Sequence, residues 1–109
     1  MSWLMRDGEV LAAAEIARTR QDRRRGLLGR DDVGGALILR PCRLVHTAAM
    51  RFPIDVAFCD ALGTVLKTTT LPPWRLSPLV LRSAFVIEAR RGAFERWSLS
   101  AGDTVEVKE

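Results

Sequence analysis

At 109 residues and a formal net charge of +4, the chain has the size of one compact domain, long enough to fold without a metal or disulfide staple. Leu, Val, Ile and Phe together supply 31 residues, which excludes the composition of a disordered chain. No stretch approaches the roughly 18 consecutive apolar residues of a membrane span, and the start from Met1 to Asp7 lacks the pattern of an export signal.

The elements follow from punctuation and periodicity. Asp7-Gly8 between Trp3–Arg6 and Val10–Ala13 supplies the positive φ angles of a tight hairpin turn, and the second strand extends towards Ile16. Thr19-Arg20-Gln21-Asp22 has the S/T-x-x-D/E form of a helix start, where the Thr hydroxyl accepts a backbone N–H three residues on. Gly26 and Gly29 keep that helix short, with Leu27 and Leu28 as its anchor. Ala36–Leu39, stopped by Pro41, reads as a buried strand. Asp55–Asp60 and Thr64–Thr70 around Ala61-Leu62-Gly63 read as a second hairpin. Leu71-Pro72-Pro73-Trp74 reads as a loop, because proline lacks the donor that a strand needs. Ala84–Ala89 is a strand leaving through Arg90-Arg91-Gly92, Ala93–Ser98 a helical turn or two, and Thr104–Val107 the last strand after the Ala101-Gly102-Asp103 turn. Short strands separated by turns predict a mainly β domain, an antiparallel sandwich or barrel with one or two short helices.

Arg25-Gly26-Leu27-Leu28-Gly29-Arg30, Met50-Arg51-Phe52-Pro53-Ile54-Asp55-Val56-Ala57-Phe58, Gly63, Ile87-Glu88-Ala89 and Gly102-Asp103 occur in that order. In this series the chain resembles the bacterial and archaeal domain of unknown function 192 from about Ala14 to Val107. The resemblance implies a compact, mainly β domain and no particular activity. Many members carry an aromatic-rich Trp-Met-Lys-Asn stretch where this chain has His46-Thr47-Ala48-Ala49, and Ala36 stands where Met is frequent.

Five residues are candidates for a ligand site. His46 is the only histidine and the one side chain whose ordinary pKa lies near neutrality. Together with Thr47, Arg51, Asp55 and Glu88 it is expected to line a polar cleft. Asp55 follows Pro53-Ile54 and opens an apolar strand, where a carboxylate accepts backbone N–H groups or pairs with Arg51. Glu88 follows Phe85-Val86-Ile87, and a carboxylate buried there needs a partner, for which Arg25, Arg30 and Arg51 are the candidates. Cys42 and Cys59 lack the spacing of a zinc site and are expected to be free, at least partly buried thiols in a reducing, cytoplasmic setting.

The net positive charge resides in residues 1–54, concentrated at Arg18, Arg20, Arg23, Arg24, Arg25 and Arg30 against Asp22 alone. Arg outnumbers Lys fifteen to two along the whole chain, so this run is in part compositional. It lacks interleaved aromatics and a phosphate-binding loop, which argues against nucleic acid as a partner. The reading that best fits the sequence is a non-catalytic binding or accessory module for a small ligand or a peptide, with no cofactor or metal and an undetermined oligomeric state. The alternatives are an acid–base enzyme using Asp55 and Glu88, glycan-directed by analogy with carboxylate pairs, and a binder of nucleic acid or an acidic partner through the Arg18–Arg30 patch.

Overall fold

A computed structural model describes residues 2–19, 21–22 and 34–109. Among the described residues, seven strands form one curled sheet: β1 (Ser2–Arg6), β2 (Glu9–Ala17), β3 (Ala36–Leu39), β4 (Ile54–Cys59), β5 (Val65–Leu71), β6 (Phe85–Arg90) and β7 (Glu106–Lys108), with helix α1 (Ala93–Arg96) after β6. The spatial order is β5-β4-β6-β3-β2-β1-β7. Of the sandwich and barrel alternatives, the barrel is the nearer. The two edges meet at one end, where Thr64 bridges Thr104, Val65 N–H donates to Asp103 O (2.8 Å) and Val105 N–H donates to Gly63 O (2.9 Å). The result is a half-barrel.

Local chemistry explains most of the elements. Asp7 and Gly8 both hold positive φ, 53° and 79°, as the β1–β2 turn requires. Every residue of β3 and β4, and all of β6 but Arg90, is buried. Continuous apolar runs therefore mark strands covered on both faces. β2 mixes exposed and half-buried positions and is buried only at its last residue, Ala17.

Three expectations need correction. β2 and β3 pair in parallel, Ala14 with Ala36 through Ala17 with Leu39, so the sheet is not wholly antiparallel; the long 18–35 connection lets the chain return in the same direction. The last strand begins at Glu106 instead of Thr104, because Thr104 is engaged by Thr64 at the closure. Leu71 belongs to β5, opposite Ile54, and the loop starts at Pro72. Asp22 N–H donates to Thr19 Oγ1 at 3.0 Å, the expected helix-start contact. Gly26, Leu27, Leu28 and Gly29 lie outside the described residues.

Each face of the sheet has its own core. On the first, Leu4, Ile38, Ala57, Cys59, Val65, Phe85 and Ile87 pack with Phe94 of α1, Leu99 and Val105. On the second, Leu37, Leu39, Ile54, Val56, Phe58 and Val86 pack against Val45, Met50 and the half-buried Val80. Those last three come from segments 41–53 and 72–84, which run antiparallel across this face. They are laced together by Thr47 N–H to Arg75 O (2.8 Å), Ser77 N–H to Val45 O (2.8 Å) and Val80 N–H to Arg43 O (2.9 Å).

Candidate functional site

Asp55 is one of the few buried charged residues and the centre of a small network. Its register opposite Thr70 and Ala89 places it on the face that carries α1. Oδ1 accepts from the Thr70 hydroxyl at 2.9 Å, and Oδ2 accepts from the backbone N–H of Gly92 (3.0 Å) and of Phe94 (3.2 Å). The sequence suggested backbone N–H groups or Arg51 as partners. The partners are N–H groups 37 and 39 residues away, so Asp55 ties the first turn of α1 to the sheet. Beside this knot is an open cleft of about 380 Å3 lined by Asp55, Thr68, Thr69, Thr70, Arg91, Gly92, Phe94 and Glu95.

Glu88 occupies the other side of the sheet. Its register partners are Val56 and Leu37, both members of the second core. It is 3% exposed, and Oε1 is buried without a hydrogen-bond partner. Burial alone pushes its carboxyl up to about 7. Of the arginines considered for it, Arg25 and Arg30 lie outside the described residues.

Thr47 is wholly buried as a clasp between the two crossing segments. Its hydroxyl donates to Pro72 O at 2.6 Å and accepts from Arg75 N–H at 2.8 Å. His46 is exposed, bridged to Leu76, with Nδ1 accepting from Ala48 N–H at 3.3 Å. Arg51 is exposed in the turn before β4. The five candidates therefore do not meet in one hollow. Asp55 lines a cleft on the first face, while His46, Thr47, Arg51 and Glu88 belong to the second face and the segments covering it.

No disulfide joins the two cysteines, of which Cys59 is buried and Cys42 half-buried. Burial first, and the Asp60 charge second, push the Cys59 thiol up to about 12. In the basic run, Arg18 is exposed and its guanidinium donates to the Glu109 carboxylate, which that bond holds below the usual carboxylate range. Arg20, Arg23, Arg24, Arg25 and Arg30 lie outside the described residues. Among the described residues, no three His, Cys, Asp or Glu side chains converge.

Sequence comparison matches residues 3–107 to the profile of domain of unknown function 192, described as an uncharacterized ACR family. The chain belongs to this family. UPF0127 protein PF1050 of Pyrococcus furiosus is 36% identical over 62 residues, 57% of this chain and 53% of that protein. UPF0127 protein PYRAB11210 of Pyrococcus abyssi is 37% identical over 62 residues, 57% of this chain and 53% of its own length. The match thus spans about half the length of these curated relatives. A solved structure of a protein of unknown function from Novosphingobium aromaticivorans superposes with TM-score 0.81 at 22% identity, covering 96% of this chain and 82% of that one. Another from Sinorhizobium meliloti, named as a candidate transcription regulator, gives 0.78 at 21% identity over 97% and 91%. Both share the fold. In the stretch His46–Ala49, the last residue, Ala49, holds a φ of 62°.

Proposed function

We propose that this member of the family is a non-catalytic binding module whose ligand is a short peptide, or a small molecule with the same pair of charges, held in the polar cleft beside Asp55. The observation that carries the reading is the make-up of that cleft. Threonines from the edge strand β5 stand on one side, and Arg91 and Glu95, both exposed, on the other. A cation and an anion in one hollow suit a ligand with a carboxylate at one end and an amine at the other. The volume, about 380 Å3, falls within the roughly 300–1,000 Å3 of small-ligand sites. Threonine hydroxyls at a sheet edge complement the amides of an extended peptide.

Binding is favoured over acid–base chemistry by the state of the candidate groups. The Asp55 carboxylate is committed to three hydrogen bonds. Glu88 is sealed behind the opposite face. The Cys59 thiol is buried and protonated far above neutrality. Asp55 acts in this reading as the floor that holds the two walls in place.

Triglycine is the direct probe, titrated into labelled protein while backbone amide shifts are followed. Saturable shifts confined to Thr68–Thr70 and Arg91–Glu95, abolished in an Arg91→Ala/Glu95→Ala double variant, are expected. Absence of saturation, or the same shifts in the double variant, would remove the reading.

A further inference from the structure

The layer that covers the second face presents a surface on the side of the sheet away from the cleft. Val45, Thr47 and Ser77 are buried under it. In an antiparallel bridge the two side chains share a side, so the His46–Leu76 bridge directs both outward. Leu44, Trp74, Leu76, Leu79 and Leu81 are between 42% and 70% exposed. Trp74 is fixed in place: its φ is 62° and its N–H donates to Thr47 O at 2.9 Å.

The charge of this layer has one sign. No Asp or Glu occurs from residue 34 to 54 or from 61 to 87, while Arg43, Arg75 and Arg82 are exposed. Single exposed leucines are ordinary on protein surfaces. Five large apolar side chains on two laced segments, interspersed with arginines and no carboxylate, mark a surface of interaction.

We propose that this face docks on an anionic lipid bilayer, with Trp74 and the leucines entering the boundary between headgroups and acyl chains and the arginines contacting lipid phosphates. Charge complementarity selects the partner's sign. The form of the surface selects a lipid over a protein. The apolar groups protrude from irregular segments, and none of them lines the cleft beside Asp55 or the one beside Arg90 and Trp97. Protruding side chains suit a deformable medium. Tryptophan favours the bilayer interface, and arginine stems reach past apolar neighbours to keep their charge at the headgroups. No helix among the described residues is long and apolar enough to cross a membrane, so the attachment is peripheral. This reading is independent of the peptide cleft, which lies on the other face.

Co-sedimentation of the full chain with vesicles of phosphatidylcholine alone, or of equal parts phosphatidylcholine and phosphatidylglycerol, tests it. Binding is expected only with phosphatidylglycerol, weakening about tenfold or more between low salt and 0.5 M NaCl. A Leu76→Asp/Leu79→Asp variant and an Arg43→Gln/Arg75→Gln/Arg82→Gln variant should each lose about tenfold in partitioning with unchanged melting curves. Brominated acyl chains should quench the parent protein's fluorescence and spare a Trp74→Phe variant. No binding to phosphatidylglycerol vesicles, or equal binding by parent and variants, overturns the proposal. So does a stable dimer in solution that Leu76→Asp/Leu79→Asp dissociates, since the face would then belong to a second copy.

Discussion

Asp55 and Glu88 sit on neighbouring rungs of β4 and β6, Asp55 opposite Ala89 and Val56 opposite Glu88, and their side chains leave the sheet on opposite faces. Two carboxylates that flank a scissile bond must share one solvent-accessible space. Here the sheet itself lies between them. The two acids also differ in surroundings, since one accepts three hydrogen bonds and the other is raised by burial with no hydrogen-bond partner at Oε1. Their roles follow from that difference and are separable by mutation.

Glu88 should make the protein less stable as pH rises from acid to neutral. Its carboxyl titrates at about 7 in the folded protein against an ordinary 4.5. Between those values the folded state holds a proton that the unfolded chain has released, so stability falls as pH rises through this window and levels off above it. The loss is about 3 kcal/mol. Urea unfolding of the parent and of Glu88→Gln at pH 4.5 and pH 8 checks it. The variant should lack this contribution and be the more stable protein at pH 8. Equal pH slopes in the two proteins would show that the carboxylate is not buried alone.

Replacing Asp55 should have the opposite effect on stability. Asp55→Ala leaves the N–H groups of Gly92 and Phe94 and the Thr70 hydroxyl without their acceptor, and bonds to a charged group are worth about 1.5–3 kcal/mol each. A loss of about 3 kcal/mol in global stability is expected, because the three bonds are not additive. Amide exchange should accelerate most at Gly92 and Phe94. Protection of those two amides at the parent level in the variant would deny Asp55 this role.

Much of the fold is legible in the sequence because it rests on local chemistry. The Asp7-Gly8 turn, the buried runs of β3, β4 and β6, and the helix-start contact of Thr19 with Asp22 each depend on residues a few positions apart. The assembly of the site depends on register, which no local pattern sets. Whether Asp55 shares a face with Glu88 is decided by the pairing of Ile54 with Arg90; a slip of one residue would reverse it. The contacts of Arg6 with Trp97 O (2.6 Å), Ser98 O (2.8 Å) and Asp103 (3.1 Å) join residues more than 90 positions apart, and make Asp103 more than a turn residue. One signal was available along the chain. The absence of acids from 34–54 and 61–87 marks the layer over the second face, whereas the denser run of arginines near residue 20 draws attention elsewhere.

Ala49 offers a gain in stability. At a φ of 62° its methyl group crowds the backbone, at a cost of about 1–2 kcal/mol that glycine avoids and that asparagine bears more readily. Ala49→Gly and Ala49→Asn should each raise stability by about 0.5–1 kcal/mol, measured by urea unfolding. A destabilised pair of variants would show that the Ala49 methyl makes contacts worth more than the strain.

Gly63 should tolerate no side chain. It closes the β4–β5 hairpin at a φ of 89°, and a Cβ built there would overlap the carbonyl oxygen of Val105. That carbonyl is backbone, at the point where the two sheet edges meet, so it cannot swing aside as a flexible side chain would. Gly63 O also accepts from Val105 N–H at 2.9 Å, so any shift that relieves the overlap breaks a bond of the closure. Gly63→Ala therefore combines positive-φ strain with loss of the β5–β7 contact, and a cost of about 3 kcal/mol or more is expected. Gly102 is the natural control, because it too has positive φ, 97°, but open space around its Cβ position. Gly102→Ala should cost about 1–2 kcal/mol, strain without collision. Equal losses in the two variants would mean that the edges of the half-barrel are not held together at Gly63.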